Sequence, residues 1–317
     1  MVAPKFLPDG SRNKIRCDGI EKKMGIKGSA TSTLSFEGAT GWLVGEPHKG
    51  LTAMFVMLNS ARLHVAMQGL GHLERAPQLV EPARIVRRRR VVAYWTAQLL
   101  DQAHSHPDAA QRAKAEDLVA LLTPVAKAFF TDNGNRGANE ALQVWGGYGY
   151  VHEYGIEQTV RDSRIAMIYE GTNEIQAIDL LQRKIMTDGG AKLLDLLTVL
   201  AHEIDAGAGA PELQEFTEAL SDQIAATRAA VGALLAAREA DPDWSLRVAD
   251  DFLRGLGLIL LAWAWARSAR IALPQVADAW YADKVKAARF GVQWLLPEAS
   301  YRWQRVMARN AILPEIS

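Results

Sequence analysis

One cysteine, Cys17, stands in 317 residues. A disulfide framework is excluded and a thiolate metal site is starved of ligands, which fits a reducing cytoplasm. The seven histidines are scattered. His104 and His106 are two apart, which on a helix sends them to different sides, so no metal is expected. Net charge is missing too: Lys plus Arg and Asp plus Glu both total 36. That removes any general pull toward nucleic acid or acidic membranes. No apolar run is long enough for a bilayer. "GLGLILLAWAWA", residues 255–266, spans about 12 residues against roughly 20 needed, with Arg254 and Arg267 at its ends. A buried helix is expected there, not a membrane span. The opening "MVAPKFLPDGSRNKIRCDG" lacks the apolar centre of a signal peptide.

What is present is ordinary soluble composition, 49% apolar and 23% charged, in a chain long enough for about two domains with cores. Residues 1–48 read as strands and turns: "LPDGS" and "CDG" are turn chemistry, and "STLSFEGATGWLV" favours strands. This is too little to close a sheet around its own core. From residue 49 to 190 the pattern is helical. Met54, Leu58, Ala61, Val65 and Gln68 recur at helical spacing, with a stop near Gly71. Residues 76–90 interrupt: Pro77 and Pro82 oppose a helix, and Arg87, Arg88, Arg89 and Arg90 form a basic run. Such a run either binds phosphates or is a solvated linker or helix end. Further helices follow on both sides of Pro107, and one more is expected from Glu174 to Met186, ended by Gly189 and Gly190. Residues 191–317 shift to Ala, Leu and Glu and read as a small bundle of three or four helices.

Two stretches carry chemistry. In "QVWGGYGYVHEYG", Gly146, Gly147 and Gly149 let backbone amides approach a ligand such as a pyrophosphate, or else make a tight interhelical turn. It is no dinucleotide fingerprint, since it follows a helix and lacks the third spaced glycine. In "VRDSRIAMIYEGTNEIQ", Arg161, Asp162 and Arg164 make either a site or a charged helix face. Glu170 stands beside Gly171, which permits an unusual backbone angle, and Thr172 or Asn173 can cap the next helix. A carboxylate at such a corner, close to Tyr169 and Ile168, suits a general base whose pKa burial would raise. The alternative is a helix-start acid favoured by the dipole.

Read together, "QVWGGYGYVHEYGIEQTVRDSRIAMIYEGTNEIQ" strongly resembles the C-terminal catalytic segment of the acyl-CoA dehydrogenases. "IEKKMGIKGSATSTLSF" resembles the end of that family's β domain and "LNSARLHVAMQGLGHLERA" its next helix. "AYWTAQLLDQAHSHPDAAQR" and the residues after 190 resemble a longer branch with an added helical domain, the branch of the 3-methylmercaptopropionyl-CoA dehydrogenases. The resemblance implies a mainly α fold: a remnant of the middle β domain, the catalytic helical bundle, and the extra C-terminal helical domain. It implies FAD-dependent oxidation of an acyl-CoA thioester to the 2-enoyl-CoA. Glu170 would take the α-proton, and its backbone amide would help hold the thioester carbonyl. Arg62, Tyr169 and Gly171 would lie at the substrate, with Gly171 lining the acyl channel. Thr172 and Glu174 match positions at FAD, and Gln143, Gly146 and Gly147 match a segment that reaches the FAD of a neighbouring subunit. A homo-oligomer is implied, with electron-transfer flavoprotein as the electron acceptor.

The sequence also departs from that pattern. Family members begin with an all-helical domain and then the early β strands that contact flavin, whereas this sequence starts late in the β domain. Residues 76–90 do not look like the family, and the arginine that contacts a neighbour's FAD pyrophosphate has no counterpart that can be placed on Arg84 or on the arginine run. A deletion or a change of reading frame would account for both. The rival reading is therefore a truncated remnant that folds or oligomerises without binding flavin, with an apolar face exposed where other domains would pack.

Overall fold

The computed structural model describes residues 1–78 and 89–308. The chain opens with a thin β layer. β1 (Ile15–Ile20) and β2 (Ser32–Phe36) pair antiparallel, Ile15 opposite Phe36 and Ile20 opposite Ser32, with an irregularity between Cys17 and Gly19. Isolated bridges join Val2 to Trp42 and Phe6 to Arg12. Two short strands cannot bury a core of their own, and nearly every residue of both is exposed.

The rest is helical. α1 (Gly50–Gln78), α2 (Arg89–Ser105), α3 (Ala109–Trp145), α4 (Ile156–Arg164) and α5 (Asn173–Ile178) come first. α3 is the spine on which α1, α2, α4 and α5 pack. It begins at Asp108, whose extended backbone and carboxylate cap the helix by accepting from the Ala110 amide at 2.8 Å. α1 and α3 cross with their backbones touching. A Cβ on Gly134 would stand 2.4 Å from the Gly69 carbonyl oxygen, and one on Gly69 2.7 Å from the Thr131 backbone.

α1 runs past Gly71, the stop expected from sequence, to Gln78. A single glycine lowers helix propensity by about 1 kcal/mol and does not end a helix whose far side is packed. Its expected apolar face is only partly buried. Val65 is inside, but Met54 is exposed, and Leu51, Phe55, Val56 and Met57 project with it. Pro82, Arg84, Arg87 and Arg88 lie outside the described residues. Arg90, at the start of α2, is engaged: its Nη2 donates to Glu74 Oε2 of α1 at 2.6 Å.

α5 widens without a break into a π-helix over Asp179–Met186. The turn through Gly189 (φ 67°) and Gly190 (φ 82°) then stops it, with the Gly190 amide on the Ile185 carbonyl at 2.8 Å. Beyond lie α6 (Ala191–Ala206), α7 (Gln214–Ala237), the one-turn α8 (Trp244–Arg247), α9 (Ala249–Ala272), α10 (Ala279–Phe290) and α11 (Pro297–Met307). This is more than the three or four helices expected, because a second π-helical stretch, Gly291–Leu295, and Pro297 divide the last amphipathic run in two. α9 is a second spine, with α7, α10, α11, α3 and α5 around it. Among the described residues it is the one helix, taken as Ala249–Gln275, long and apolar enough to cross a membrane. Its apolar run 255–266 is buried by the other helices, as the sequence suggested. One core runs through both helical groups, with Phe130, Leu180, Leu197, Phe216, Phe252 and Trp265 among its members.

Candidate active site

The site is a corner between α4 and α5. After α4 a 3-10 turn, Ile165–Met167, carries the chain inward, and Thr172 caps α5 by accepting from the Ile175 amide at 3.4 Å. Between them Glu170 and Gly171 both lie in the left-handed region, at φ 55° and 86°. Gly171 can adopt that angle freely, but a glutamate there costs about 1–2 kcal/mol, so its surroundings must hold it. Gln176, fully buried on α5, donates from Nε2 to the carbonyls of Glu170 (3.3 Å) and Gly171 (3.4 Å). A Cβ on Gly171 would lie 2.6 Å from that same nitrogen.

The corner aims one carboxylate inward. Glu170 Oε2 is buried and has no hydrogen-bond partner among the described residues. Tyr169 beside it donates its hydroxyl to Gln68 Oε1 of α1. Burial pushes that phenol up, and the hydrogen bond opposes the shift. Arg62 of α1 is buried and contacts Asn59 Oδ1 and Asp179 Oδ2, both at 3.4 Å, while its Nε is left unpartnered. Its Nη2 stands 3.8 Å from where a Gly171 Cβ would be. Glu170, Tyr169, Gly171 and Arg62, four positions singled out from the sequence, are thus gathered in one place. Thr172 and Glu174 follow on the rim of α5. Glu174 is exposed, and its carboxyl is held below the usual range by its own backbone amide, with Thr172 assisting.

Gln143, Gly146 and Gly147 are elsewhere. They are exposed at the C-terminal end of α3, where the Gly146 amide donates to the Gln143 carbonyl and Gly146–Tyr150 forms a 3-10 turn. Lys127 of the same helix touches Gly171. At 1.5 Å per residue, Gln143 lies about 24 Å further along α3. Nothing stands within 4 Å of a Cβ built on Gly146 or Gly147, so that backbone face is open, well away from the Glu170 corner.

Sequence reasoning missed two groups, Lys127 and Asp179, and left a third unresolved. Lys127 is fully buried and donates from Nζ to the Gly171 carbonyl (2.7 Å) and Asn173 Oδ1 (3.0 Å). Burial pushes its ammonium down to about 8. Its signal was a lone lysine inside the apolar run "LLTPVAKAFF". Asp179 is buried among Arg62, Arg183 (3.6 Å) and Lys184 (4.0 Å). Arg161 and Asp162, left open as site or surface, are a dock for the β layer. Arg161 Nη1 donates to the Met24 carbonyl at 2.8 Å, the Ile26 amide donates to Asp162 Oδ1 at 2.6 Å, and a Cβ on Gly25 would fall 2.5 Å from the Arg161 carbonyl oxygen.

The fold is thus a helical bundle that holds a buried, unpartnered carboxylate oxygen at a left-handed corner, beside a buried arginine. Comparison with known proteins gives the family. The profile for the C-terminal domain of acyl-CoA dehydrogenase matches residues 48–185, and one described as acetyl-CoA dehydrogenase C-terminal like matches residues 200–316. The chain belongs to the acyl-CoA dehydrogenase family, whose relatives are flavoprotein oxidoreductases. It is 31% identical to the 3-methylmercaptopropionyl-CoA dehydrogenase of Ruegeria pomeroyi over 96% of this chain and 59% of that protein. It is also 31% identical to a broad-specificity linear acyl-CoA dehydrogenase of Mycobacterium tuberculosis, over 93% of this chain and 58% of the other. The acyl-CoA dehydrogenase of Bacillus anthracis solved with FAD shares the fold, with a TM-score of 0.71 at 23% identity, over 92% of this chain and 56% of that one. The chain thus spans somewhat over half the length of these relatives.

Proposed function

We propose that this chain carries the base of an FAD-dependent acyl-CoA dehydrogenase, oxidising an acyl-CoA thioester to the 2-enoyl-CoA. The single observation behind this is Glu170 Oε2, buried, unpartnered and aimed from a strained corner. A carboxylate without a donor is a ready acceptor for a proton made acidic by a thioester carbonyl. Glu170 removes the α-proton as a hydride leaves the β-carbon and the carbon–carbon double bond forms. FAD, when bound, supplies the acceptor for that hydride. Thr172 and Glu174 would hold it on the rim of the corner. Gln143, Gly146 and Gly147, with open backbone and about 24 Å away along α3, would serve the flavin of a second copy, which makes a homo-oligomer part of this reading. Arg62 and the Glu170 amide would face the substrate head, and water displaced by the acyl chain would strengthen those polar contacts. The acyl-CoA named for the Ruegeria relative is the first substrate to try, and electron-transfer flavoprotein the first acceptor.

A second reading has an observation of its own. Leu51, Val56 and Met57 are 64%, 72% and 60% exposed on one projecting end of α1, a patch suited to association. A chain that uses this patch to assemble without flavin would keep Glu170 as a base with no oxidant. Incubation with FAD followed by desalting separates the two. Retained flavin absorbance, bleached by acyl-CoA in the parent chain but not in Glu170→Gln, supports dehydrogenation. A colourless, associated chain supports the second reading.

A further inference from the structure

Lys127 is a fully buried charge that the proposed chemistry does not use. Its side chain is fully enclosed on α3, yet it sits under the backbone of the Glu170 corner. Its two acceptors are placed by other groups. Asn173 Oδ1 also lies 3.2 Å from Thr131 Oγ1, and Asn173 Nδ2 donates to the Ala128 carbonyl at 3.2 Å. Thr131 Oγ1 in turn donates to the Lys127 carbonyl at 2.7 Å. α3 and α5 are therefore tied at Asn173, two residues beyond the second left-handed one.

We propose that Lys127 is the positioning residue of the Glu170 corner: its ammonium, seated on the Gly171 carbonyl and Asn173, holds the left-handed Glu170–Gly171 turn in place, and loss of that proton loosens it. The proposal deepens the reading of Glu170 as the base, and its structural half stands without it. A residue forced to positive φ stays there only where its surroundings over-determine it. Gln176 supplies two long contacts to the corner, and Lys127 supplies the short one. The charged groups around Lys127 are Glu170 and Glu174 from the corner and α5, and Arg62 from α1. Beyond them lie Asp179 on the π-helix, which faces Arg62, and Asp132 on α3, which is neutralised by Arg254 of α9. The two glutamates favour the ammonium, while burial and Arg62 disfavour it. The corner would therefore respond to pH in the mildly alkaline range.

The sequence supplies a clean probe. The dipeptide Glu–Gly occurs at Glu37–Gly38 and at Glu170–Gly171. The full chain labelled with carbonyl-13C glutamate and 15N glycine therefore gives two correlations in a carbon-detected spectrum, one at the corner and one in the β layer as control. The corner signal should titrate with a midpoint near pH 8 while the Gly38 signal stays flat. In Lys127→Met and Lys127→Arg, which cannot lose a proton there, the inflection should vanish. A flat corner signal between pH 7 and 10, or an inflection that survives either substitution, overturns the proposal. Should both variants fail to fold, 13Cε-lysine labelling of the parent chain decides. A Lys127 midpoint equal to that of the corner supports the assignment, and a different one overturns it. Flavin is not needed for any of this, so loss of FAD binding with an intact Lys127-linked titration would strike the dehydrogenase reading alone.

Discussion

Consider Lys127→Met followed by urea unfolding across pH. In the folded chain burial lowers the Lys127 ammonium from the ordinary 10.5 to about 8. In the unfolded chain it returns to the ordinary value. Between those two pH values the unfolded state binds the extra proton, so stability rises with pH through that window. Below it both states are protonated, and the folded state carries the full penalty of a buried charge. At about 1.4 kcal/mol per tenfold change in proton affinity, the penalty is about 3 kcal/mol. Methionine has no proton to lose, and the loss of the two Lys127 hydrogen bonds to the Gly171 carbonyl and Asn173 Oδ1 lowers its stability by the same amount at every pH. The stability of the parent chain minus that of Lys127→Met should therefore increase by about 3 kcal/mol from pH 7 to pH 10.5. Other tyrosines and lysines titrate in both chains and cancel in the difference. A difference that does not change with pH would refute the argument that Lys127 is a buried charge on the Gly171 carbonyl.

The remaining predictions follow the same geometry. Gly134→Ala drives a Cβ to 2.4 Å from the Gly69 carbonyl oxygen and should lower stability by about 1–3 kcal/mol in thermal or urea unfolding; an unchanged midpoint would mean α1 and α3 do not cross this closely. Gly25→Ala meets the Arg161 backbone and should release the β layer, seen as faster limited proteolysis before residue 45 with the helical core unfolding as before. Equal cleavage of both chains would contradict the dock. Gly171→Ala places a Cβ against Gln176 Nε2 at a positive φ and should shift the amide signals of Glu170 and Asn173 while leaving α9 and α11 unmoved. If the spectrum is superimposable, the corner is not as drawn.

The parts of this molecule legible in its sequence were those set by local chemistry. Helical periodicity announced α2 and α3, the short apolar run between Arg254 and Arg267 announced a buried α9, and Glu-Gly-Thr announced a turn into α5. The corner was legible because Gly171 and the capping Thr172 are neighbours of Glu170 in the chain. What stayed hidden depends on residues far apart. Lys127 finds its acceptors 44 and 46 positions later, and Ile26 meets Asp162 across 136. A lone lysine in an apolar run and a pair of charges on a helix look alike whether they are satisfied or idle, until the partner is known. The C-terminal bundle was undercounted because the π-helical stretch Gly291–Leu295 divides a helical run into α10 and α11, a change of hydrogen-bond pattern that periodicity does not register. The start of α1 was expected to pack because its spacing is that of a packed helix, yet Leu51, Met54, Phe55, Val56 and Met57 are exposed.

The most direct test of the account is anaerobic mixing of the FAD-incubated, desalted chain with an acyl-CoA, reading the visible flavin band of the parent and of Glu170→Gln side by side. The account predicts flavin retained by both and bleached only in the parent. Flavin lost from both, or bleached equally in both, would contradict Glu170 as the base of a working dehydrogenase.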